Sequence, residues 1–382
     1  MTWARATAAL LVIALLLGAL GGWLYLRTQP FAGVSRAPAS HAGGSPSPSP
    51  APAPARPVVY IHYYLWWTPQ HWRDKLGPAY PYAAGQAPMP GRVDAQGCNP
   101  QVDYPQAQIV DLPAEGLYDQ GQPATFDRHL AQASAAGVAG FLVSWQGTGD
   151  AAQRPDTSGY NARLDLLVSR VHDFDQPGAG SFGLGLAFAS FGNYSRPAVN
   201  VIADLEYFAN RYGGDPAFRN PYSGKPLVMW LDSRKYSEAT VQAVSRAVRS
   251  RLYLVGDETA QSWPRDAPYL DATSYYWSSE NPVKNRQAGA TLTRLSAAVH
   301  SASKRWFAPL IPGYDNQLAG GSCVPRNGTE TLRRVWTENT RSRPDGWFGI
   351  SWNELVENTY LQPSRAYGTT YLDALATLIR TG

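Results

Sequence analysis

Near its carboxyl terminus the chain reads Ile350-Ser-Trp-Asn-Glu-Leu-Val-Glu357, an apolar run that delivers Asn353 and Glu354, with Glu357 three positions later. That spacing puts two carboxylates on one side of a tight turn or a first helical turn. Two carboxyl groups at one place are the equipment of glycoside cleavage, one protonating the leaving oxygen while the other assists at the sugar ring. Like charges held close also push one proton affinity upward, which keeps an acid protonated near neutral pH. The spacing alone equally fits a Glu354 that caps or ion-pairs and a solvated Glu357. Other residues with chemical potential fall at the ends of apolar runs: His62, Tyr63, Tyr64, Trp66 and Trp67; Trp145; Asp232; Asp257 and Glu258; Tyr275, Tyr276 and Trp277; Tyr314 and Asp315. Aromatic walls with a few carboxylates suit a sugar cleft, because pyranose faces stack on rings and hydroxyls seek charged acceptors.

Elements must hold these residues together. After Pro57, short β-rich apolar runs alternate with amphipathic helical stretches, the pattern of a parallel sheet with crossover helices. The predicted strands are Val58 to Tyr64, Gly140 to Trp145, Phe182 to Ala189, Pro226 to Leu231, Arg251 to Val255, Leu270 to Tyr276, Arg305 to Ile311 and Trp347 to Trp352. Between them lie helices such as the one bearing Val241, Val244 and Val248 behind the cap Ser237, or Leu292, Leu295 and Val299; Tyr371 to Ile379 is the last. Eight strands so spaced predict an α/β fold, a (β/α)8 TIM barrel, with chemistry at the carboxyl ends of the strands. No Gly-rich phosphate turn follows the first strand, which argues against an open doubly wound sheet. The long segment from Trp66 to Gln122 reads as an active-site loop.

Residues 8–26 are uncharged and apolar between Arg5 and Arg27, long enough to span a hydrocarbon core. We therefore read 1–27 as a transmembrane anchor or uncleaved signal, 28–57 as a disordered Pro/Ala/Ser-rich linker, and 58–382 as the catalytic body, membrane-anchored and extracytoplasmic, or secreted. With 33 basic and 29 acidic residues scattered along the chain, no basic stripe marks a nucleic-acid surface. The His residues have no HExxH or paired spacing, and the two cysteines, Cys98 and Cys323, no CxxC, so no metal site is expected. In an oxidising compartment the two cysteines form a possible disulfide; the alternative is two unrelated thiols.

These pieces resemble glycoside hydrolase family 99, the endo-α-mannosidases, and more distantly the α-1,3-glucanases of family 71. The likeness spans nearly all of Val58 to Gly382 and rests on Tyr63-Tyr64 with Trp66-Trp67, the run Gly140 to Trp145, Pro312-Gly313-Tyr314-Asp315, and Ser351-Trp-Asn-Glu354 followed by Glu357 and Gln362-Pro363. It implies a retaining, endo-acting α-glycosidase without metal or cofactor, with Glu357 as general acid/base and Glu354 drawing a proton from the sugar 2-hydroxyl. Tyr64, Trp145, Tyr276 and Tyr314 would line the sugar subsites, joined by Tyr63, Trp66, Asp232, Asp315 and Asn353. The substrate would be an extracellular or envelope polysaccharide, α-mannan-like. Leu355-Val356 and Asn358-Thr359 depart from the family pattern around the glutamates, and Gln146 stands where a second Trp is common, so the departures fall on the sugar-contacting surface. The competing expectation is a non-catalytic glycan-binding or polysaccharide-assembly protein on the same barrel.

Overall fold

A computed structural model of the protein describes residues 57–83, 85–148, 159–174, 182–189 and 196–382. The predicted membrane segment, and the linker up to residue 56, lie outside the described residues; no helix among those described is long and apolar enough to cross a membrane. Eight parallel strands close into a barrel: β1 (Val59–Tyr63), β2 (Gly140–Trp145), β3 (Gly183–Phe188), β4 (Leu227–Trp230), β5 (Tyr253–Asp257), β6 (Ala272–Ser274), β7 (Arg305–Leu310) and β8 (Gly346–Gly349). Each strand pairs with its neighbours in the sequence order of the eight, and β1 closes the ring against β8, with Val59 opposite Trp347 and Tyr60 opposite Gly140 on β2. All eight predicted strands are present.

Because side chains alternate along a strand, the barrel has two cores. Tyr60, Leu142, Ala187, Leu227, Met229, Val255, Ala272, Phe307 and Phe348 fill the inside. Ile61, Tyr63, Phe141, Val143, Leu184, Leu186 and Trp230 pack instead between the sheet and the helices. Closure around a ring as large as Tyr60 needs glycine on the neighbouring strands: a Cβ on Gly140 would lie 2.6 Å from Tyr60 Cε1, and one on Gly183 2.8 Å from its hydroxyl. The helices form for the expected reasons. Ser237 Oγ accepts the Thr240 N–H at 3.2 Å and caps Glu238–Val248, whose Val241, Val244 and Val248 are buried on the sheet side.

The segment from Trp66 to Gln122 is more than a loop. It contains the helix Pro69–Leu76, capped by Thr68, and a two-stranded ribbon pairing Gly91–Arg92 with Gln101–Val102. It also has its own apolar cluster, in which Trp67, Trp72, Leu76, Tyr80, Ile109, Leu112 and Tyr118 pack with Leu355 and Tyr360. The first crossover is thus packed against the turn that carries the two glutamates.

Candidate active site

The turn is built by its own polar atoms. After β8 the chain leaves the sheet; Ser351 Oγ accepts the Glu354 N–H at 2.8 Å, and the Glu354 carbonyl accepts from Thr359 N at 3.2 Å. Between them Glu354 Oε1 accepts the N–H groups of Val356 at 2.9 Å and Glu357 at 3.4 Å, so its carboxylate folds back over the turn. The Glu357 carbonyl in turn accepts the Asp315 N–H at 2.8 Å. Asn353 ties the turn to β1: its Oδ1 accepts Tyr64 N and its Nδ2 donates to Tyr64 O, both at 2.9 Å. This side-chain amide takes the place of a backbone pair and continues the β8–β1 pairing one step beyond the strands.

Both carboxylates face aromatic rings at the mouth of the barrel. Tyr64, Tyr276 and Tyr314 lie within electrostatic range of Glu354 and of Glu357. The Tyr64 and Tyr276 hydroxyls are 3.0 Å apart. Half-buried Trp66 stacks on Tyr64 with ring centroids 4.3 Å apart, and His71 stacks on Trp66 at 5.6 Å. His62, the residue of β1 that points inward below Tyr64, meets Tyr276 edge-on at 5.1 Å, and burial lowers its proton affinity to about 3, so the ring is neutral.

Burial raises the pKa of both glutamates, but their surroundings differ. For Glu354 the rise is opposed by the N–H of Val356, by the Lys75 ammonium and by the N–H of Glu357, each of which favours the ionised form. Glu357 has no such support; the negative charge of Glu354 adds to the effect of burial. Of the pair, Glu354 is therefore the readier to ionise and Glu357 the readier to keep its proton, the division of labour that a base and an acid need.

Three residues expected on the sugar-contacting surface sit elsewhere. Tyr63 and Trp145 occupy the outward parity of β1 and β2. Tyr63 stacks on Phe141 at 4.4 Å and shares a 2.6 Å hydrogen bond with His129 Nδ1. Trp145 packs on Phe188 and Phe208, its Nε1 donating to Asn161 at 2.8 Å. Asn353 is fully buried, with its amide committed to Tyr64. Asp232 lies at the end of β4 with a left-handed backbone, 2.7 Å from Arg234 and 3.1 Å from Lys235. Asp315 is buried beside Tyr314, with Oδ1 accepting from Gln317 N at 3.0 Å.

Sequence reasoning missed Lys75, Gln120 and Arg326. Gln120 accepts from Trp67 N and donates to Tyr64 O, fixing the end of β1; no pattern in the sequence marks any of the three. Cys98 and Cys323 are joined in a disulfide that closes a separation of 225 residues. In the chain-entropy account a loop of that size is worth roughly 5 kcal/mol. The bridge fastens the Asp94–Cys98 turn to the ribbon in which Asp315 pairs with Cys323, next to Glu357. Among the described residues no group of three His, Cys, Asp or Glu side chains is arranged to hold a metal ion.

No protein-family model matches the chain, and no curated protein does. Solved structures do. The family 99 endo-α-mannosidase from Bacteroides thetaiotaomicron superposes with a TM-score of 0.62 at 19% identity, over 84% of this chain and 96% of that one. The same protein in complex with bis-tris-propane gives 0.62 at 18% identity. A glycoside hydrolase-like protein gives 0.62 at 14% identity, over 89% of this chain and 98% of the other. The chain is therefore similar, over 84% of its length, to the fold of the family 99 endo-α-mannosidase.

Proposed function

We propose that this protein is an endo-acting hydrolase of α-linked glycan that retains the anomeric configuration, with Glu357 as general acid/base and Glu354 as the base at the sugar 2-hydroxyl. The observation that carries the reading is the unequal pair: two carboxyl groups raised by burial among tyrosines, with backbone N–H support on Glu354 alone. In the first step Glu354 removes the 2-hydroxyl proton, O2 bonds to C1, and the bond from C1 to the leaving oxygen breaks as Glu357 protonates that oxygen. In the second, Glu357 takes a proton from water as its oxygen attacks C1; the C1–O2 bond opens and Glu354 returns the proton to O2. Trp66 and the three tyrosines supply stacking faces and hydroxyls for the rings on either side. The substrate class is an envelope polysaccharide of the α-mannan kind, in keeping with the named activity of the similar solved enzyme. Residues 8–26 tether the body to a membrane on the outer side, where a Cys98–Cys323 disulfide persists.

Activity requires Glu354 ionised and Glu357 protonated. Rate falls on the acid side as Glu354 gains a proton and on the alkaline side as Glu357 loses one; both groups are raised, so both limits lie above the ordinary carboxyl value of about 4.3. Purified protein is tested on α-mannan, with the anomer of the first product read by NMR, and on α-mannobiosyl fluoride, whose leaving group needs no acid. E357Q is expected to lower kcat/KM on mannan by about 10³-fold and to retain it on the fluoride; E354Q loses both. Full activity of E357Q on mannan refutes the assignment. Binding of mannan by both variants and by the wild type, with no product from any, identifies a glycan-binding protein instead.

A further inference from the structure

Arg326 is 1% exposed, a buried cation at the rim. Its guanidinium carbon lies 4.7 Å from the ring centroid of Tyr360, 4.8 Å from Tyr367 and 4.2 Å from Tyr371. Three tyrosine faces offset the loss of water from the charge. Its Nη2 donates to two carbonyls of the segment after Glu357, Asn358 O at 3.0 Å and Tyr360 O at 2.9 Å. Asn358, the residue after Glu357, has a left-handed backbone with φ 50°, and its Nδ2 donates to Gly97 O at 3.3 Å.

The stem of the same side chain is where other rim segments meet. Arg326 N donates to Gln96 O at 2.8 Å. Gly313 leaves room for it: a Cβ there would lie 2.5 Å from Arg326 Cγ. At Gly97, where φ is +83°, a Cβ would lie 3.3 Å from both Cβ and Cγ of the arginine. The cystine-bound Asp94–Cys98 turn, the turn before Tyr314 and the residues after Glu357 are thus packed on one arginine.

We infer that Arg326 is a positioning residue for Glu357: by gripping the carbonyls of Asn358 and Tyr360 it fixes the backbone from which the general acid projects. Asp315 N holds the Glu357 carbonyl from the other side. The arginine acts through geometry, because the charge that bears on Glu357 is that of Glu354. This inference rests on the reading of Glu357 as the acid.

The test uses full-length R326M and R326K beside E357Q, with kcat/KM measured on α-mannan and on α-mannobiosyl fluoride across pH. A displaced acid costs the substrate that needs it: R326M is expected to lose about 10²-fold on mannan while keeping its value on the fluoride. Its alkaline limit moves to lower pH as Glu357 slackens toward water. R326K keeps the charge among the rings, but its Nζ ends one bond short of the place from which Nη2 reaches both carbonyls, and it loses about tenfold on mannan only. Equal losses on the two substrates with an unchanged alkaline limit overturn the inference, as do undiminished activity on mannan or failure of both variants to fold. E357Q separates the two readings: if it is as active as the wild type on mannan, the acid assignment fails; if it loses mannan and keeps the fluoride, that assignment stands and the arginine is judged alone.

Discussion

Asp257 and Glu258 end β5 much as Glu354 and Glu357 follow β8, two acidic pairs at the mouth of one barrel. The β5 pair is bound up in the scaffold. Asp257 Oδ2 accepts from Asp232 N at 2.8 Å and lies 2.6 Å from Arg234, its Oδ1 holds Tyr276 N at 2.9 Å, and Glu258 accepts from Ser233 Oγ at 2.5 Å. The β8 pair has no arginine against it among the described residues; it has tyrosine rings and, on Glu354 alone, two N–H groups of its own turn. The difference teaches that paired acids at strand ends can be held in opposite ways, by ion pairs and hydrogen bonds of the scaffold or by their own turn. Burial raises the proton affinities of both pairs, so what separates them is their contacts: one pair anchors Tyr276 and the loop after β4, and the other lies among tyrosine rings.

The comparison breaks most visibly at Arg234. R234M strips Asp257 of its cation and is expected to cost about 3 kcal/mol of stability, read from the denaturant midpoint, while the pH limits of glycan cleavage stay where they were; loss of turnover with unchanged stability would place catalysis at β5 instead. Glu280 sharpens the point from another side. It is fully buried, accepts from Asn339 Nδ2 at 3.1 Å, and burial raises its pKa to about 8. Because the folded value is the higher one, its contribution is complete below the ordinary carboxyl pKa and fades as pH climbs toward 8. Wild-type stability is expected to fall by about 2 kcal/mol relative to E280Q between pH 6 and 8, with no difference in the activity profile; parallel curves for the two proteins contradict this. The smallest effect belongs to Tyr63. Y63F loses the bond to His129 and about 1 kcal/mol of stability, with kinetics unchanged, whereas a kinetic defect would put Tyr63 on the substrate side after all.

Much of this was legible in advance. The eight apolar runs, the Ser237 cap, the buried valines of the helix behind it and the placement of Glu354 and Glu357 beyond the last strand all follow from local pattern. Strand parity did not. Strands covered on both faces are apolar throughout, so nothing in Tyr63-Tyr64 or Ser144-Trp145 says which residue looks inward; the sheet had to close around Tyr60 before Tyr64 was assigned to the mouth and Tyr63 to the helical layer. Asn353 was expected on the sugar-contacting surface from the family resemblance, and only the approach of β1 gave it Tyr64 to bind.

By itself the sequence determined the chain of elements and the acids at the end of the eighth strand, because periodicity and spacing are local properties that survive in a linear string. Tertiary structure alone decided which acid is readier to ionise, that Cys98 meets Cys323, and that Arg326 reaches the carbonyls after Glu357. Those outcomes depend on desolvation and on contacts between segments far apart in the chain, and neither exists until the barrel closes.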